Sequence, residues 1–407
     1  MEIKKNINEF LLIFYLWSFT LLKPVLGVFQ DYSTIILFIV TLIIVCLSII
    51  YNLFWRIDNS KVFKWIPFVS TMMLIFMLDI ILRHNTFIFL VIYDFAIFGV
   101  IPILLYAQVK DHEKMLKYYV NFSIIIFIAY GLDPFNEYSI FGDYMSYGYG
   151  MAMPAYFGLY IGRRFFKIRW VLILEVCCFI LIIVFANKGA VLSVVCFILL
   201  MNILMNKKDL KVILLYFYSG LAVLFVSFNM MKIIDVLIEF TTKRGYYSYS
   251  LQSVKEALSG SSISILSGRD MIWQDAYQMI TERPLIGFGT GAYNNVSRSQ
   301  DYTHNFFLDV LIQYGFIGLL FFILLITRSL WKILFHSTGY NKIIGILFIS
   351  SSFPKLIFSS IYLKEPWFWL FLFFGIKYLS IVWNDSRVVY FRSNDRKKGK
   401  KAFENSV

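Results

Sequence analysis

The sequence predicts an all-α polytopic membrane protein with about twelve transmembrane helices and one large extracytoplasmic loop subdomain. Three observations carry this. Of the 407 residues, 59% are hydrophobic and 15% charged, against roughly 45–50% and about 25% in soluble domains, and mean hydropathy is +0.70. Apolar runs close to the roughly 20 residues that cross a bilayer recur along the chain. Lys and Arg gather at alternate ends of those runs, the pattern that orients helices in a membrane. This composition excludes a cytosolic enzyme, a secreted disulfide scaffold and a disordered chain.

The runs fall at 10–29, 33–54, 64–82, 86–107, 116–132, 147–162, 168–186, 189–206, 211–231, 303–327, 341–361 and 365–383. The first is too long for a signal peptide and lacks a small-residue cleavage site, so it counts as a span. The run 147–162 is short and holds Gly148, Gly150, Gly158 and Pro154; it is expected to be re-entrant or broken. With the N-terminus inside, the inner connections hold 25 of the 38 Lys and Arg residues, and the short outer connections hold only Arg83, Lys188 and Lys364. Both termini are therefore expected in the cytoplasm. Residues 1–231 form spans one to nine, 232–302 an extracytoplasmic loop subdomain, 303–383 spans ten to twelve, and 384–407 a basic, lipid-facing cytoplasmic tail.

The net charge of +13 follows the membrane edges, which points to orientation and not to a nucleic acid. Cys46, Cys177, Cys178 and Cys196 all lie in apolar runs and read as thiols without a metal or redox role. Asp79, Asp94, Glu175 and Lys355 lie within spans. Burying such groups is costly, so they are expected to face the bundle and pair.

Within 232–302, Ile272, Trp273, Ala276, Tyr277 and Ile280 fall on one face of a helix over 269–282. Gly268 before it and Pro284 after it suit helix boundaries. A second, weaker helix is expected over 250–258. There is no phosphate-binding Gly-Lys loop, no His-Glu-x-x-His and no Asp-x-Asp, and the chain has four histidines; neither a metal nor a cofactor is expected. The informative stretch begins at Gly268-Arg269-Asp270-Met271-Ile272-Trp273. It continues through Pro284-Leu285-Ile286-Gly287-Phe288-Gly289-Thr290-Gly291, then Thr303-His304-Asn305, then Tyr314-Gly315-Phe316-Ile317-Gly318. Gly287, Gly289 and Gly291 permit positive φ or close approach of the backbone to a ligand, although a plain turn is the simpler reading. All of these residues are expected on one side of the membrane.

The order Arg-(x)3-Trp, Pro-Leu-x-Gly-x-Gly-x-Gly, His-Asn and Tyr-Gly-x-x-Gly resembles the O-antigen ligase and polymerase superfamily, most sharply over 268–320. Members tend to carry Ser-Arg-Gly-Ala at an outer span boundary. The matching place here reads Asn187-Lys188-Gly189-Ala190, which keeps the charge and loses the guanidinium fork. The resemblance implies a polyprenyl-pyrophosphate-linked oligosaccharide as both donor and acceptor, joined at the outer face of a bacterial cell membrane. Such chemistry asks for cations on the departing diphosphate, with Lys188, Arg269 and Arg244 as candidates. It also asks for a base for the acceptor hydroxyl. His304 is the candidate, with Asp301 and Asp270 behind it and Asn305 positioning it or the span end. The expected reaction inverts the anomeric centre without a metal. A polymerase of capsule, O-antigen or related repeat units is the favoured reading, because nothing suggests a large acceptor-docking domain. A ligase onto another acceptor is the second. A flippase or transporter of the lipid-linked unit is the third, and the absence of paired halves speaks against it. Membrane lipids, a chain-length regulator and a flippase are the expected partners.

Overall fold

The computed structural model describes residues 7–23, 33–55, 66–83, 88–135, 140–141, 144–205, 234–243, 251–252, 255, 269–293 and 303–381. Among them, every regular element is helical. The main helices are α1 (Ile7–Leu21), α2 (Ser33–Trp55) and α3 (Ile66–Arg83). Next come α4, which runs through Ile88–Phe95, a π turn at Ala96–Val100 and Ile101–Ala107, and α5 (His112–Tyr130). Then α6 joins Tyr144–Tyr147, a π turn at Gly148–Ala152 and Met153–Arg164, followed by α7 (Val171–Phe185) and α8 (Lys188–Met205). The remainder are α9 (Arg269–Glu282), α10 (Phe306–Trp331, continued by a π turn at Lys332–His336), α11 (Gly339–Phe358) and α12 (Pro366–Ile381).

Helices thus stand at eleven of the twelve expected runs, while 211–231 and the tail 384–407 lie outside the described residues. Four are long and apolar enough to cross a membrane by length and composition: His112–Phe135, Lys188–Met205, Phe306–His336 and Gly339–Phe358. Most of the expected second loop helix over 250–258 also lies outside the described residues. Leu251 packs with Val184 and Ile234, which ties the loop to the end of α7.

The run expected to be re-entrant or broken is interrupted by the π turn at Gly148–Ala152 and continues as one of the most buried helices. Every residue of α6 from Met153 to Gly162 is buried. Its small residues explain why. A Cβ at Gly158 would lie 2.0 Å from Ser123 Oγ, and one at Gly162 would lie 2.8 Å from Val120 Cγ1. Glycine therefore lets α5 and α6 approach backbone to side chain, as small residues do between membrane helices. Pro154 removes the N–H that would have bonded to the carbonyl of Gly150. Thr20 Oγ1 donates to that carbonyl at 2.7 Å, so the apolar interior contains no orphaned acceptor there. Pro102 has a similar arrangement in α4, where the Tyr15 hydroxyl donates to the Ile97 carbonyl.

The charges inside the bundle are compensated. Glu175 takes a two-pronged bond from Arg163, Asp94 faces Lys364 at 3.6 Å, and Glu365 holds Lys355 at 2.6 Å. Asp79 accepts the backbone N–H of Thr290. Of the cysteines, Cys178 is buried, whereas Cys46 and Cys177 are exposed on the outside of the bundle; all four are free thiols. Gly158→Leu should overpack the α5–α6 contact and cost about 1–3 kcal/mol. The measurement is a thermal melt of the purified chain in detergent, and an unchanged midpoint would refute the close contact.

Candidate functional site

The site is assembled around a break in α10. At Gly315, φ is 64° and ψ is −164°, far from helical values. Sixteen residues of continuous helix would separate Phe306 from Phe322 by about 24 Å, yet their rings lie 5.8 Å apart between centroids. The chain therefore reverses at Gly315. A short leg, 306–314, folds back beside the long leg that begins at Phe316. The long leg, through His336, spans about 30 Å at 1.5 Å per residue, close to the hydrocarbon thickness of a bilayer. The straight span expected over 303–327 is thus two legs.

A helix break exposes backbone donors and acceptors. Here the glycine-rich turn after α9 satisfies them. Phe288 N–H donates to the Ile312 carbonyl at 2.7 Å, and Gly289 N–H to the Gln313 carbonyl at 2.8 Å. In return, Phe316 N–H donates to the Pro284 carbonyl at 2.8 Å, and Ile317 N–H to the Leu285 carbonyl at 3.2 Å. Gly287, Gly289 and Gly291 have φ of 62°, 104° and 72°, the left-handed region that side chains disfavour. What approaches them is the backbone of α10: a Cβ at Gly287 would lie 2.5 Å from the Ile312 carbonyl oxygen. The three glycines therefore build a turn that docks on a broken helix. Arg283 clasps the turn from outside, its guanidinium 4.7 Å from the Phe288 ring centre.

Beneath the turn lies a polar network. Thr290 Oγ1 and the Tyr314 hydroxyl are 2.8 Å apart, and the Tyr314 and Tyr362 hydroxyls 3.2 Å apart. The Tyr362 hydroxyl donates to Gln313 Oε1 at 2.9 Å. With the Asp79 carboxylate on Thr290 N–H, the network ties the turn, the break, the connection before α12 and the end of α3. The sequence places Thr290, Gln313 and Tyr314 in or beside its motifs without giving them a role, and Tyr362 lies outside them. The one signal was Asp79, a costly carboxylate that had to find a donor.

The start of α9 and the residues just before the short leg hold two of the candidates, Arg269 and His304. Ile272, Ala276, Met279 and Ile280 of α9 pack on Leu308 and Ile312, so α9 lies along the leg. Trp273 Nε1–H donates to the Thr303 carbonyl at 3.2 Å. Arg269, the first residue of α9, is near enough for its charge to act on His304. His304 has φ 56°, a strained value for a non-glycine residue. It is held there by Thr303, whose hydroxyl donates to the Asn305 carbonyl, and by Asn305, which caps the leg. Asn305 Oδ1 accepts from Phe307 and Leu308 N–H at 2.9 and 3.3 Å. Burial, and secondarily the charge of Arg269, lowers the His304 pKa from 6.5 to about 4. The imidazole is neutral at physiological pH and able to accept a proton.

The other candidates are placed differently. Lys188 opens α8 and is exposed; among the described residues it makes no hydrogen bond, ion pair or ring contact, and none with Arg269 or His304. Arg244 and Asp301 lie outside the described residues. Asp270 is in the first turn of α9, and its side chain is not among those described. Arg269 thus acts electrostatically on His304, and Asn305 caps the helix just after it. An open groove in the loop, lined by Asp235, Glu239, Lys243 and Lys255, holds none of them. Its charges are internally paired. Among the described residues, no group of three or more His, Cys, Asp or Glu side chains is placed to hold a metal.

Comparison with known proteins adds one finding. A family model described as O-antigen ligase matches residues 173–323, a stretch that contains Lys188, Arg269 and His304. The match supports the O-antigen ligase and polymerase superfamily, so the resemblance read from the motifs holds over that segment. The match supports a membrane protein similar to O-antigen ligases over that stretch, and four helices are long and apolar enough to cross a membrane by length and composition. No curated protein matches the chain.

Two outcomes follow. Gly315→Ala forces a Cβ to within 2.3 Å of the Leu285 carbonyl group in a left-handed conformation. It should cost on the order of 1–3 kcal/mol, read as a lowered unfolding midpoint. The His304 imidazole should stay neutral from pH 7 down to about pH 4. Arg269→Gln, by removing a like charge, should move its titration upward, toward 6.5. Imidazole carbon chemical shifts of labelled protein measure both.

Proposed function

We propose, from the premise that 173–323 is an O-antigen ligase-type region, that this chain joins lipid-diphosphate-linked oligosaccharide repeat units into a surface polysaccharide. The observation that carries the reading is a largely buried His304, held neutral by burial and by the nearby charge of Arg269. Glycosidic transfer from a lipid diphosphate needs both. The acceptor hydroxyl oxygen attacks the anomeric carbon. The bond from that carbon to the diphosphate oxygen breaks, and the lipid diphosphate leaves with the electron pair. The acceptor proton passes to His304. Direct displacement inverts the anomeric centre.

Electrostatics couple the two residues. An imidazolium beside a bare guanidinium is unfavourable, so His304 is a weak base while Arg269 stands alone. A diphosphate bound to Arg269 cancels that charge and favours the protonated imidazole. The base gains strength when the donor is in place and the leaving group needs its cation. Arg269 lends itself to this task because, among the described residues, it has no acidic partner. Catalysis then lies at the outer ends of the helices, with both chain termini in the cytoplasm of a bacterial cell. Arg244, Asp301 and Asp270 remain candidates for supporting roles on the same loop.

A ligase, which moves finished glycan to a different acceptor, is the second reading, favoured by the description of the matching family. One experiment separates them. The purified chain is given a lipid-diphosphate-linked repeat unit alone. A ladder of longer lipid-linked glycans is the expected result. Transfer only after a separate acceptor is added would make the chain a ligase, and movement across the bilayer with no new bond would make it a transporter. His304→Ala should slow bond formation about 10²–10⁴-fold, the range for losing a general base. Arg269→Ala should do the same while membrane insertion is unchanged. Normal ladders from both variants would refute the site.

A further inference from the structure

The loop between α6 and α7, residues 165–170, carries cations that the glycosidic chemistry does not use. It lies at the far end of the long leg from the glycine turn. Phe166 stacks on Tyr340 with ring centres 6.2 Å apart, and Tyr340 stands at the start of α11, just after that leg ends at His336. Lys117 Nζ is 5.6 Å from the same Phe166 ring, and Ile168 N–H donates to the Gly162 carbonyl at 3.2 Å. The loop is therefore anchored to α5, α6 and α11.

Most of the charges around it are engaged. Glu175 is taken by Arg163 and Glu113 by Lys117 at 2.7 Å. Arg164 is bound to the Tyr160 hydroxyl and to Asn202 Oδ1 of α8. Lys167 and Arg169 differ. Both are exposed, and among the described residues neither side chain makes a hydrogen bond or ion pair. Lys167 also has φ 61°, in the left-handed region where glycine or asparagine is the usual occupant. A lysine there strains the backbone and gains no contact within the chain. Strain of this kind persists at ligand sites.

The surface beside these cations is apolar. Trp170 is 55% exposed, the placement of an indole at a membrane–water interface. It opens an outward stripe on α7 that Ile173, Cys177 and Ile180 continue at helical spacing. Cations, indole and apolar stripe follow one another in the order of a phospholipid's phosphate, ester region and acyl chain. A free phosphate would use the cations and leave the indole and the stripe without a task.

We propose that Lys167, Arg169 and Trp170, with the outer stripe of α7, bind an anionic glycerophospholipid. Its phosphate lies between the two cations, and one acyl chain runs along α7. The site is independent of the polymerase reading.

The test uses the full-length chain in neutral detergent and phospholipids with brominated acyl chains, which quench a nearby indole. The Trp170 signal is the difference between the wild-type chain and Trp170→Phe. Phosphatidylglycerol should quench it at a mole fraction about 25-fold below that needed for phosphatidylcholine, about fivefold for each cation. Arg169→Gln and Lys167→Gly should each remove about fivefold of that preference. Lys167→Gly also relieves the left-handed strain, so its thermal midpoint in lipid-free detergent should hold or rise. Equal quenching by the two lipids would overturn the site, as would a preference that both variants keep. Displacement of phosphatidylglycerol by an equal concentration of inorganic phosphate would make it a free-phosphate site and overturn the lipid assignment. A lowered midpoint in Lys167→Gly, with the lipid preference intact in Arg169→Gln, would give the lysine a purely structural role and overturn the proposal.

Discussion

The four backbone hydrogen bonds exchanged between the glycine turn and the break in α10 are the constraint on which the site depends. A helix that reverses at Gly315 exposes two carbonyls and two amides, and a buried polar group without a partner costs on the order of 1–3 kcal/mol. The turn at 284–289 supplies the complementary set. Neither half is stable without the other. Their union fixes where the short leg points, and so where His304 meets Arg269. The paired motifs in the sequence are the two sides of one backbone contact. Their glycines are needed because a Cβ on either side would enter the other's carbonyl.

The same demand recurs through the bundle. Where Pro154 and Pro102 cancel helical bonds, Thr20 and Tyr15 fill the gaps. Where a carboxylate or ammonium lies among apolar helices, a counter-charge or an amide reaches it. An apolar solvent leaves no alternative. The buried hydroxyl network of Thr290, Tyr314 and Tyr362 therefore has a structural role.

Much of this was legible in the sequence because hydropathy and helical period report burial directly. The helix at Arg269–Glu282 stands where its apolar residues predict it and ends two residues before Pro284, although Tyr277 is exposed and Met279 packs in its stead. The pairing of Glu175, Asp94 and Lys355 follows from the cost of burying charge. Two things were not legible. The run 147–162 reads as weak because its glycines and proline lower its hydropathy, yet those residues fit it to the centre of the bundle, where close approach replaces greasiness. The reversal at Gly315 is invisible because both legs are apolar, and hydropathy has no sign for direction. Charge and motif order say which residues take part, whereas the folded path decides which of them meet.

One feature of the docked turn reaches further. Leu285, Ile286, Phe316 and Ile317 are each more than half exposed, although their backbones form the contact that shapes the site. Main-chain atoms carry the specificity there, and the side chains are left exposed around it. Descendants of this gene can drift at these four positions, exchanging one oily residue for another, while the architecture is inherited through spacing and glycines alone. Distant relatives would then share a shape that pairwise identity hardly records.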